Sequence, residues 1–205
     1  MRSLRVACTS LALLLTACAS PNIVIKPAVS VPASTAVAGM SRNVRLDIVG
    51  GEAAQGSRFE EKSDKARLGR SDSLGVHLSD IWIEDPPASF VRRLLEADLK
   101  AFGHSVGTNP EYFLVHGQVK RLSLDSKAAN LLEFQADGVI EADVDISRPG
   151  AAPHYRGHYL ATCTFRTATS VPNKENMEKL FNQCVEQFQR QVMDDAKLRA
   201  ALASE

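Results

Sequence analysis

"FQADGVIEADVDIS", residues 134–147, alternates so regularly that it sets both a local structure and a sidedness. Asp137, Glu141, Asp143 and Asp145 occupy odd positions, and Ala136, Gly138, Ile140, Ala142, Val144 and Ile146 occupy even ones. Side chains of a strand point alternately to opposite faces, so the even set needs an apolar cover and the odd set meets water. The next segment, "HYRGHYLATCTFR" at 154–166, repeats the pattern in the opposite phase, with Tyr155, Tyr159, Ala161, Cys163 and Phe165 apolar and Arg156, His158, Thr162, Thr164 and Arg166 polar. A turn centred on residues 149–152 sets Asp145 opposite Arg156 and Asp143 opposite His158. Each such pair stabilises a sheet by about 0.2–1 kcal/mol.

Four carboxylates on one face raise the possibility of a calcium site or a paired-acid active site. The cross-strand cations favour a solvated, charge-paired face instead: a divalent ion would have to displace or tolerate Arg156, and no calcium-loop spacing surrounds the acids. Asp137, Glu141, Asp143, Asp145, Arg156 and His158 are therefore read as a candidate interaction face. No catalytic residue, metal site or cofactor is expected.

The same phase turns Cys163 toward the covered face. Cys184 falls on the apolar stripe of a later helix, between Phe181 and Phe188. The two thiols enter one layer, which allows either a strand-to-helix disulfide or two packed free thiols.

Working outward, residues 112–124 form the strand before this pair, and Val44, Leu46 and Ile48 alternate with charges in an earlier one. Residues 52–73 lack periodicity and read as a loop, with a hairpin near Arg67–Gly69, and a short strand follows at 76–83. Asp85-Pro86-Pro87 opens a helix with Asp85 as cap. Phe90, Val91, Leu94, Leu95, Leu99 and Phe102 give it one apolar face, and Gly103 ends it. Residues 173–202 repeat the helical period behind an Asn173 cap. The expected fold is α+β, a mainly antiparallel sheet with two amphipathic helices on one face.

Residues 1–17 carry Arg2 and Arg5 ahead of an apolar run at 6–15 that is too short to span a bilayer, the form of a secretory signal. It ends Leu15-Thr16-Ala17-Cys18, which resembles the lipobox of bacterial lipoproteins. That resemblance implies cleavage before Cys18 and its acylation (palmitate-type chains), with several chains giving stable anchoring. Ala19 and Ser20 lack the aspartate that retains such proteins at the inner membrane, so the expected address is the outer membrane with the domain facing the periplasm. Residues 18–41 hold Pro21, Pro27 and Pro32 and read as an extended tether, part of it lying along the domain surface. Residues 42–205 form one domain.

Loss of the signal removes two arginines and no acid, leaving 22 basic against 24 acidic residues, a net of −2. Such a chain has no electrostatic footprint for nucleic acid. His154 and His158 are separated by Arg156 on their shared face, and "GRSDSLG" at 69–75 lacks a nucleophile-elbow pattern. Neither supports a catalytic role, and Trp82 reads as a core-edge residue.

In order along the chain, the lipobox, "NIVIKPAV" at 22–29, "LEADLKAFGHSV" at 95–106 and "VMDDAKLRAAL" at 192–202 resemble the YajG-type family of bacterial lipoproteins. The stretch "GGEAAQGSRF" at 50–59 departs from it, since relatives often carry an Asp-x-Arg pair there. The resemblance implies location and fold and carries over no catalytic residue. Three functions follow as expectations. The first is a non-enzymatic envelope lipoprotein that binds a periplasmic or outer-membrane protein or supports envelope maintenance. The second is an auxiliary lipoprotein of a lipid or lipopolysaccharide transport system, marked by an apolar cleft between sheet and helices. The third is a cell-wall-acting enzyme.

Overall fold

A computed structural model describes residues 22–30, 32, 41–50, 61–62, 65–73, 76–107, 113–130, 133–167 and 173–204. The stretch read as a signal, residues 1–17, and Cys18 lie outside these. The strands are β1 (Ile23–Ile25), β2 (Asn43–Gly50), β3 (Glu61–Lys62), β4 (Lys65–Ser73), β5 (Val76–Ile83), β6 (Ser105–Val106), β7 (Phe113–Asn130), β8 (Glu133–Ser147) and β9 (Tyr155–Thr167). The helices are α1 (Pro87–Ala101), α2 (Lys174–Asp194) and α3 (Ala196–Ala203).

The centre is the β7–β8–β9 meander. β8 pairs with β7 on one side and β9 on the other, both antiparallel, and its residues alternate half-buried and buried from end to end. On its far side β7 pairs in parallel with β2 over its first half and with β4 near Ser126. β1 runs parallel to β5, and β6 parallel to β2. The sheet is thus mixed, which corrects the mainly antiparallel expectation. Alternation reports which face a residue takes and carries no information on strand direction, whereas the long excursion through β3–β5 and α1 between β2 and β7 is what a parallel pairing requires.

Further differences have local causes. Residues 65–73, read as loop, form β4, with register shifts after Arg67 and Ser71 that blur its periodicity. Asp85 does not cap α1: Pro86 is the capping residue, and Asp85 pairs with Arg93. The closing helix breaks at Asp195, whose backbone is extended and whose Oδ1 accepts from Lys197 N and Leu198 N at 2.8 and 3.0 Å, starting α3. Asn173 caps α2, accepting from Asn176 N at 2.8 Å. Residues 23–25, inside the stretch read as tether, belong to the sheet as β1.

The apolar stripe of α1 (Phe90, Leu94, Leu95) and that of α2 (Leu180, Phe181, Phe188) join one core with the even residues of β8 and with Leu122 and Leu124 of β7. Phe90 and Phe181 meet at 5.7 Å between ring centroids. Cys163 of β9 and Cys184 of α2 are disulfide-bonded, with Cα atoms 5.4 Å apart. Gly138 lies beneath the bond: a Cβ there would come within 2.7 Å of Cys184 Sγ and 2.8 Å of Cys163 Sγ. On the outer edge of β9, Gln191 of α2 accepts from Leu160 N at 3.1 Å and donates to Leu160 O at 2.8 Å, blunting an exposed strand edge.

The disulfide closes a loop with a sequence separation of 21 residues, for which chain entropy gives about 3 kcal/mol. Urea unfolding with and without reductant should differ by about that amount. Gly138→Ala should be destabilising by at least ~1 kcal/mol in the oxidised protein, because neither sulfur is a free side-chain end.

Candidate interaction face

The β8–β9 hairpin pairs Asp143 with His158 and Asp145 with Arg156. His158 Nδ1 lies 2.7 Å from Asp143 Oδ1 and its Nε2 3.7 Å from Glu141. Lys120 of β7 reaches Asp143 at 3.2 Å, and Arg156 stands 4.0 Å from Asp145. Burial works to raise the Asp143 pKa, but hydrogen bonds from His158 and Lys120 outweigh it and hold the carboxyl below its ordinary value. Asp137 is set apart further down the strand, where it accepts from Gln135 Nε2 at 2.9 Å and from Thr164 Oγ1 at 2.9 Å.

His116 and Gln118 of β7, with Asp143, Asp145, Arg156, Gly157 and His158, line an open groove of about 390 Å³. His116 faces Asp47 of β2 at 3.6 Å, so the groove spans the join between the meander and the parallel strands. Adjacent opposite charges with histidines between them suit a complementary polar protein surface. Among the described residues, no group of three or more His, Cys, Asp or Glu side chains could hold a metal ion. Nor is any helix of the described residues long and apolar enough to cross a membrane.

Two polar clusters on the helix side escaped sequence reasoning. Asp98 of α1 is fully buried; its Oδ1 accepts from Gln189 Nε2 at 3.0 Å, while Oδ2 has no partner among the described residues. Gln189 also donates to Ser30 O at 3.0 Å and accepts from Ser30 Oγ at 2.6 Å. Burial pushes the Asp98 carboxyl up to about 7, with the Gln189 hydrogen bond acting against it. The available signal was positional: Asp98 sits four residues after Leu94 and Gln189 four after Val185, each on an apolar stripe. The second cluster joins Tyr155 and Tyr159 of β9 to Asp195 Oδ2 at 2.6 and 3.0 Å. Burial foremost pushes the Tyr155 hydroxyl up to about 12 and also raises that of Tyr159. For Asp195, burial is outweighed by the donors around it, which lower its pKa.

The fold is similar to that of a Xanthomonas campestris protein of the family DUF330, with a TM-score of 0.55 at 12% identity over 86% of this chain and 95% of that one. A minor lipoprotein from Acinetobacter baumannii aligns with a TM-score of 0.41 at 11% identity, over 77% of this chain and 90% of that one. No family model and no curated protein matches the sequence. The first likeness shows a shared fold.

Asp145→Ala should cost less than about 1 kcal/mol, since its ion pair is solvated, and titration of calcium into the intact domain should give no calorimetric signal. Asp98 gives the opposite sign from an ordinary ion-paired carboxylate. Its folded pKa is raised, so the folded state binds the proton more tightly and stability falls as pH rises from about 4 to about 7. Asp98→Asn keeps an acceptor for Gln189 and removes the titration. Its stability relative to the parent should therefore improve by on the order of 2–3 kcal/mol between pH 5 and pH 8, read from urea unfolding at the two values.

Proposed function

We propose that this chain is a non-enzymatic periplasmic lipoprotein, anchored to the outer membrane through acyl chains on Cys18, that binds a protein partner through the groove on its exposed sheet face. Membership of the YajG-type lipoproteins is part of the same reading. The carrying observation is the groove, where His158 and Arg156 stand opposite Asp143 and Asp145, with Lys120 and Glu141 extending the charge pairing beside it. Support against acid–base chemistry comes from Asp143, whose pKa is held low by its donors and is unsuited to proton transfer near neutral pH.

Membership of a lipid or lipopolysaccharide transport system is the second reading, and the core restricts its form. Phe90, Leu94, Leu122, Ile140, Phe181 and Phe188 are all fully buried in one core. Close packing at these described residues gives no support to lipid carriage among them, so an auxiliary role would work by contact with a protein component.

Crosslinking of the lipidated protein in intact cells, followed by mass spectrometry, tests the reading. We expect a defined partner in the wild type, its loss in Arg156→Glu, and loss of labelled palmitate in Cys18→Ser. An unchanged partner set in Arg156→Glu would move the site off this face. Recovery of transport components would select the second reading, and of peptidoglycan-bound or outer-membrane proteins the first.

A further inference from the structure

Fold and anchor are separated by very little chain. Asn22 Oδ1 accepts from Asp80 N at 3.4 Å, and Ile23, Val24 and Ile25 pair with Ile81, Trp82 and Ile83. Lys26 N then donates to Glu178 Oε1 at 2.9 Å, Ala28 N to Asn182 Oδ1 at 3.0 Å, and Ser30 meets Gln189. The acceptors ascend α2 with the donors, so the strap runs alongside the helix in the same direction, and Lys26 adds an ion pair to Glu84 at 2.8 Å. One residue spans at most about 3.6 Å, which keeps Cys18 within about 14 Å of Asn22. A strap free as far as Asn43 would allow roughly 90 Å.

Strand directions identify what lies within that reach. β1, β5 and β8 run one way, and β4, β7 and β9 the other. The start of β1 therefore lies toward the end of the sheet where Ser73 pairs with Val76, where β7 gives way to β8 and where β9 finishes. At about 3.3 Å per residue, Val76 lies roughly 13 Å beyond the level of Asp80, on the side of the start of β1. Val76 is 61% exposed, the largest value among the exposed large hydrophobic residues described. His77, Lys127 and Arg166 are exposed near the same end.

We propose that this end of the sheet, led by Val76 and bordered by Lys127 and Arg166, rests on the bilayer that holds the acyl chains of Cys18. The inference depends on the lipidation proposed above. The short link is the constraint: hairpin ends that project as far as the link can reach must meet the headgroup layer, where an apolar tip enters the interface and cations meet lipid phosphates. Arg156 lies about 33 Å from Arg166 along β9, so the groove sits far from the membrane along the sheet and its partner approaches from the periplasmic side.

The experiment uses the full lipidated chain in vesicles of phosphatidylethanolamine and phosphatidylglycerol containing a headgroup-nitroxide lipid. A fluorophore is placed through Val76→Cys or, at the opposite end, Ala151→Cys. We expect several-fold stronger quenching at 76 than at 151. A flexible Gly/Ser linker of about 20 residues inserted after Ser20 leaves the domain untouched and should bring quenching at 76 down to the level at 151. Equal quenching at both positions in vesicle-bound protein, or no effect of the linker, overturns the inference while leaving the anchor intact. Protein that fails to float with the vesicles overturns the anchor itself, and the inference with it.

Discussion

The covered face of β8 is the constraint on which the other elements depend. Its even residues, from Phe134 to Ile146, are buried, Ala136, Ile140, Ala142, Val144 and Ile146 in one core with side chains of α1 and α2, and both of its edges are hydrogen-bonded. Because the side-chain period is two, a slip of one residue against either neighbour would turn acids into the core and apolar groups into water. The disulfide secures the same register from below. Cys163 can reach Cys184 only if β9 keeps its phase, and Gly138 supplies the space the sulfurs occupy. Register, core and cross-link thus enforce one another.

A fixed β8 places the rest. Its odd residues meet Lys120 from one side and His158 and Arg156 from the other, which makes the open face a mosaic of paired charges without a strong field of one sign. Under the sheet, α2 collects the contacts that finish the domain. Gln191 reaches round to the free edge of β9, Asp195 holds Tyr155 and Tyr159 while starting α3, and Gln189 ties Asp98 to the N-terminal strap. A polar residue on an apolar stripe costs stability unless it is hydrogen-bonded, and Gln189 gains partners from α1 and from the N-terminal strap. Asp98 is only half satisfied, its Oδ2 having no partner among the described residues, and its burial raises its pKa.

Much of the local structure was determined by the amino-acid sequence alone, the cap of α1, the break at Asp195 and β4 being the exceptions. Alternation gave the faces of β8 and β9 and, with a short turn, the pairing of Asp143 with His158. A 3.6-residue period gave the stripes of α1 and α2, and Asn173 gave the start of α2. The charged face was legible for the same reason, since face assignment within one hairpin needs only parity and turn length. Tertiary structure decided what depends on distant segments meeting. Strand direction in the β1–β5, β2–β7 and β4–β7 pairings leaves no trace in periodicity, and the groove needed His116 from a strand whose register no short turn fixes. The docking of residues 22–30 along α2 was decided there too, because it depends on acceptors more than 150 residues away in sequence, which no local pattern encodes.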